Sequence, residues 1–179
     1  MTNDLWRWSA LDLAQAIRHR EVSSRDAVQS CLERARRLNP VFNPLTEIYA
    51  EQALRAADAA DAAVRDGRAP GLLHGVPVTI KANADLAGTA TTNGVVAYRD
   101  LIARENNPAV DNWIKAGAIV IGRTNVPAFS WRWFSDNDLH GRTLNPFDAA
   151  RTPGGSSGGA AVAAALGLGP LAHGSDQGG

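Results

Sequence analysis

The sequence predicts an α/β fold in which N-terminal helices precede a mixed β-sheet core covered by helices. Three observations lead there. Apolar residues recur at helical spacing through residues 9–66. Two short β-rich runs follow, Val76-Pro77-Val78-Thr79-Ile80 and Ala118-Ile119-Val120-Ile121, with a helical pattern between them. Four glycines around Ser156 and Ser157 then run straight into an alanine-rich helix. Such alternation of helix and strand favours a largely buried sheet. The texture changes at Arg68-Ala69-Pro70-Gly71. Residues 1–67 therefore read as a helical segment, and 68–179 as an α/β segment.

Taken in order, Ser9 precedes Leu11, Leu13, Ala14 and Ile17, the apolar face of a short helix. Ser23 is a good N-cap with Asp26 three residues on, and Val28, Cys31, Leu32, Ala35 and Leu38 continue at helical spacing. Asn39-Pro40 is expected to stop that helix. A third helix is expected over about 46 to 66, with Gly67 as its C-terminal glycine. After the first strand, residues 110–117 read as an amphipathic helix feeding the second strand. Residues 123–151 are irregular, broken by Pro127 and Pro146. Residues 160–166 form a small-residue helix, and Leu171-Ala172-His173 starts a further strand.

Composition narrows the function classes. With 45% hydrophobic and 20% charged residues, the chain reads as globular. Eighteen basic residues balance eighteen acidic ones. Arg34-Ala35-Arg36-Arg37 is a solvated helix end, so no nucleic-acid surface is expected. No apolar run reaches the roughly eighteen residues of a membrane span. The N-terminus lacks an apolar core of signal-peptide type, and Cys31 is the single cysteine. A cytoplasmic protein with Cys31 in its core is the expectation.

The glycine–serine loop admits four readings. A phosphate loop needs a lysine after the last glycine, where Ala160 stands. Gly155-Ser156-Ser157-Gly158-Gly159 matches the nucleophile pattern of α/β-hydrolases, with Ser157 as nucleophile, but no strand precedes it and only His173 follows. A flexible surface turn is the third. The fourth is a serine–serine–lysine hydrolase, for which Lys81 at the end of the first β-run supplies the amine. An ordinary lysine, pKa ~10.4, is protonated at neutral pH; burial disfavours that charge. Lowering the pKa to about 7 costs roughly 4–5 kcal/mol. The simpler alternative is a strand-end lysine paired with a carboxylate such as Asp85, and the residues alone slightly favour it.

Five blocks in order resemble the amidase signature family: residues 75–81 ending on Lys81; Thr91-Thr92-Asn93-Gly94; residues 116–127; Asn145-Pro146; and the glycine–serine loop. The match is close from Gly71 to Gly179 and loose over the N-terminal helices. The resemblance implies that residues 68–179 are the first part of the mixed-sheet α/β core of a single domain. It also implies an amidohydrolase working through an acyl-serine intermediate, with a small-molecule amide as substrate and no metal or organic cofactor. It makes Lys81 the base and Ser156 the bridging serine, with the Gly155–Ser156 peptide cis. It gives Gln177, Gly178 and Gly179 the oxyanion hole, with Ser157 hydrogen-bonded in the network and Asp176 holding the loop. It puts the nucleophile at position 180, one beyond Gly179. The polypeptide is therefore expected to continue, with a modified serine there, and residues 1–179 are not expected to fold alone.

Some positions depart from the family: Ala82, Ala128, Ala160 and His140 stand where Asp, Glu, Ser and an aromatic are common. None touches the proton relay. His140 and His173 read as ordinary loop or core histidines. The aromatic-rich block 129–134 falls where the family lines its acyl pocket, making Ser130 and Trp131 candidate substrate-binding residues and favouring an apolar or aromatic acyl group over glutamine. Two alternatives stand beside this one: the amidase component of a tRNA-dependent amidotransferase, releasing ammonia from glutamine, and a non-catalytic fragment. A homodimer is left open.

Overall fold

Serine hydroxyls start the first two helices. In the computed structural model, which describes residues 4–68 and 71–176, α1 (Ala10–Arg18) is capped by Ser9 and α2 (Ser24–Phe42) by Ser23. Each hydroxyl accepts the N–H three residues on, from Asp12 and Asp26. The expected stop at Asn39-Pro40 is not observed. The helix continues through Pro40 to Phe42 and ends on Asn43 in the left-handed conformation. Proline removes only the N–H that would reach back to Arg36. The last turn is held from outside instead, because the Asn39 amide accepts the Leu45 N–H at 2.8 Å and donates to the Leu45 carbonyl at 3.1 Å.

That bracket leads into β1 (Leu45–Ile48), where the sequence pattern predicted the start of a helix. The third helix, α3, spans Ala50–Arg65, and Gly67 follows it with φ +71° as expected. The strand forms because a distant partner claims it: Leu45, Glu47 and Ile48 pair antiparallel with Thr124, Arg123 and Gly122 of β3 (Ile119–Thr124). Between them in sequence lie β2 (Pro77–Lys81) and α4 (Pro108–Lys115), the latter capped by Asn107. The described chain closes with α5 (Gly158–Ala165) and β4 (Leu171–Ala172).

The mixed sheet has the order β1-β3-β2-β4, with β2 parallel to both of its neighbours. Every residue of β2 is buried, as its central place requires. Val78 packs with Leu13, Ile17 and Val76, while Ile80 packs with Ala84 and Val110. Ile119 and Ile121 of β3 pack under α2 and α3 beside Cys31, whose thiol burial pushes up to about 12. Cys31 is thus a core residue, as expected. Small residues let α5 lie close to the sheet: a Cβ on Gly159 would overlap the Asn125 main chain. The irregular segment expected over 123–151 begins at 125 instead, because Arg123 and Thr124 pair within β3; from there to 151 the chain is largely irregular and is ordered by buried amides. Asn125 donates to the Gly141 carbonyl and the Thr143 hydroxyl, and Asn137 donates to the Asn125 side chain and the Val126 carbonyl. Among the described residues no helix is long and apolar enough to cross a membrane.

Candidate active site

β2 delivers Lys81 to the point where the glycine–serine loop meets the segment after β4. Its side chain is fully buried. The ammonium nitrogen lies 2.7 Å from Ser156 Oγ, 3.0 Å from Ser157 Oγ, 3.0 Å from Ser175 Oγ and 3.3 Å from the Ser175 carbonyl. All four of these atoms are serine oxygens. Asp85, the alternative partner, instead accepts the Thr91 hydroxyl at 2.6 Å. Burial lowers the Lys81 pKa from 10.5 to about 8, against the opposing pull of the Asp176 carboxylate. A large share of neutral amine at mildly alkaline pH follows.

The hydroxyls around it have assigned directions. Ser157 donates its O–H to the Ser175 carbonyl at 3.0 Å and accepts the Ser175 N–H at 3.2 Å. It can therefore only accept from Lys81. Ser175 Oγ is held from the other side by the Asn83 amide, 3.1 Å away. A neutral amine has two N–H donors and one lone pair. With the donors directed at Ser157 and Ser175, the lone pair meets the O–H of Ser156, the nearest of the three hydroxyls. The Gly155–Ser156 peptide is cis, as the resemblance implied.

A cavity of about 460 Å³ opens beside Ser156. Ser130, Trp131, Arg132, Trp133, Gly155 and Asp176 complete its lining. The structure thus gathers Lys81, Ser156, Ser157, Asp176, Ser130 and Trp131, all singled out from sequence, around one place. Ser130 is buried, whereas Trp131 is 79% exposed. Gln177, Gly178 and Gly179 lie outside the described residues. His140 bonds the Thr92 hydroxyl at 2.9 Å, and His173 donates its main-chain N–H to Thr79. Both rings have lowered pKa values through burial first, and among the described residues neither hydrogen-bonds a serine of the cluster.

Three residues here were not singled out from sequence. Ser175 and Asn83 contact the cluster directly, and their only sequence signal is a hydroxyl and an amide a step or two from residues already chosen. Arg123 is the third. Fully buried on β3, it donates to the Ala84 carbonyl at 2.7 Å and the Thr89 hydroxyl at 2.8 Å, fixing the turn that follows Lys81. Among the described residues no cluster of side chains could hold a metal ion.

The Amidase family model matches residues 26–179. This chain belongs to that family, the amidase signature enzymes. It is 52% identical over 175 residues to an indoleacetamide hydrolase of Bradyrhizobium diazoefficiens, covering 98% of this chain and 33% of that protein. It is 40% identical over 167 residues to a glutamyl-tRNA(Gln) amidotransferase component of Nitratidesulfovibrio vulgaris, covering 93% of this chain and 34% of that one. The solved structure of a fatty acid amide hydrolase superposes with a TM-score of 0.93 at 27% identity, covering 98% of this chain and 31% of that chain. The chain therefore spans about a third of the length of the curated relatives it matches.

Proposed function

We propose that this chain carries the proton relay and acyl pocket of an amide hydrolase whose substrate has an aromatic acyl group, such as an arylacetamide. The observation that carries the reading is the buried Lys81 amine 2.7 Å from Ser156 Oγ, with serine oxygens as its hydrogen-bond partners. In the proposed cycle neutral Lys81 takes the Ser156 proton while Ser156 takes one from the nucleophilic serine expected at position 180. That oxygen attacks the amide carbon, and main-chain N–H groups of the 177–179 segment stabilise the resulting oxyanion. The relay returns the proton to the departing amine as the C–N bond breaks. Water, activated by the same relay, then releases the acid from the acyl-serine.

The aromatic preference rests on Trp131 and Trp133 in the cavity lining and on the relative at 52% identity, an indoleacetamide hydrolase. Glutamine has no use for such a wall, which disfavours the amidotransferase reading despite those relatives. Ammonia release from indole-3-acetamide by the full-length protein tests the proposal. Lys81→Ala and Ser156→Ala are each expected to lower kcat/KM by about 10²–10⁴-fold. Glutamine hydrolysis that appears only with an amidotransferase partner would instead establish the second reading. Near wild-type activity in Lys81→Ala would overturn both.

A further inference from the structure

We propose that Asn93 is a positioning residue that sets the shape of the acyl pocket by holding its wall in a left-handed backbone. The inference rests on the amidase reading of this pocket and adds a residue that determines its selectivity. Phe129 and Ser130 have φ of +57° and +58°, and Asn93, which faces them, has φ of +47°. A positive φ is unfavourable for side chains other than glycine, and for a bulky phenylalanine it is an outlier. Two successive such residues persist only where their surroundings impose the conformation.

Asn93 supplies that constraint from two atoms. Its carbonyl accepts the Phe129 N–H at 2.9 Å, and its side-chain oxygen accepts the Ser130 hydroxyl at 3.2 Å. The turn itself is pressed onto the wall, since a Cβ on Gly94 would come within 2.9 Å of the Val126 carbonyl. From there the chain passes directly to Ser130, Trp131 and Arg132 in the cavity lining. Gly155 of the relay loop then sits against the main chain of Arg132 and Phe134, with no room for a Cβ. Asn93 thus stands outside both the relay and the cavity lining, yet fixes the backbone that joins them. Any residue at 93 offers the carbonyl; only a side-chain acceptor holds Ser130.

The test uses the full-length enzyme with indole-3-acetamide and propionamide. Asn93→Ala is expected to lower the ratio of kcat/KM for the aromatic over the aliphatic amide about five- to tenfold, chiefly through KM for indole-3-acetamide. Asn93→Asp keeps an acceptor and tolerates positive φ, so it restores the wild-type ratio. Ser130→Ala reproduces the loss, and the double variant Asn93→Ala/Ser130→Ala adds nothing further, as expected for one shared interaction. If Asn93→Ala does not fold, Ser130→Ala against the wild type carries the same comparison. The acid limb of the pH profile stays in place throughout. Equal losses on both amides, an impaired Asn93→Asp, or additive effects would overturn the assignment. If the wild type hydrolyses neither amide, the amidase reading falls while crystal structures of wild type and Asn93→Ala still decide this one. Residues 129–130 leaving the left-handed region in the variant support it, and an unchanged wall overturns it.

Discussion

Lys81 can act as a base only in its neutral form, so its charge sets the pH range of the proposed relay. Burial brings its pKa down to about 8, and the Asp176 carboxylate pulls the other way. Under the amidase proposal, kcat/KM rises with pH along an acid limb with its midpoint near 8. Asp176→Asn removes the opposing charge and moves that limb to lower pH. A limb that stays put or moves upward in Asp176→Asn would contradict the assignment. Stability follows the same sign. Between about pH 8 and 10.5 the unfolded chain still holds the Lys81 proton while the folded chain has released it. Folding is therefore favoured progressively across that window, and below it the buried charge opposes folding in full. Lys81 and Ser156 could be singled out because five ordered blocks pointed to them together, and the structure places the two side chains 2.7 Å apart. Ser175 and Asn83 could not, since a lone hydroxyl or amide beside a chosen residue carries no pattern. Their part emerges only when the segment after β4 brings Ser175 to the Lys81 amine and the turn after β2 brings Asn83 to the Ser175 hydroxyl.

At the scale of elements, what the sequence concealed is long-range. β1 is four residues beside an alanine-rich helix, and it exists because β3, over seventy residues later, pairs with it. Local periodicity cannot register such a partner, so helix was the natural reading. Asn39-Pro40 misled for a related reason, since Asn39 spends its side chain on Leu45 instead of terminating the helix. The small-residue helix α5 was legible, and the structure shows why its residues are small. Gly159 tests this. In an open helix Gly→Ala stabilises by roughly 0.5–1 kcal/mol. Here the new Cβ would overlap the Asn125 main chain, which cannot swing aside as a side chain could. Overpacking of this kind costs about 1–3 kcal/mol. Gly159→Ala is therefore expected to lower the melting temperature of the full-length protein, measured by calorimetry; a higher melting temperature would mean that α5 stands further from the sheet.

At the scale of the whole molecule, the surface at the candidate site is unusually apolar. Trp131 and Trp133 in the cavity lining are 79% and 86% exposed, and Phe129 and Phe134, which flank them in sequence, are 45% and 41% exposed. Scattered exposed hydrophobics are ordinary, but clustered aromatics on this scale mark a surface that binds something. The sheet adds a second demand. β4 has only two residues, both half-buried, and among the described residues it pairs with β2 alone, which makes it an edge strand of the described sheet. Edges of that kind recruit further strands. The relatives extend well beyond the third of their length that this chain spans. Residues 1–179 produced alone are accordingly expected to bind a hydrophobic dye and to elute from a sizing column as concentration-dependent oligomers. The full-length protein is expected to do neither through this surface. A monomeric 179-residue species with a sharp, cooperative melt and no dye binding would show that the aromatic wall and the β4 edge are stable in water, and the case for a covering segment would fall.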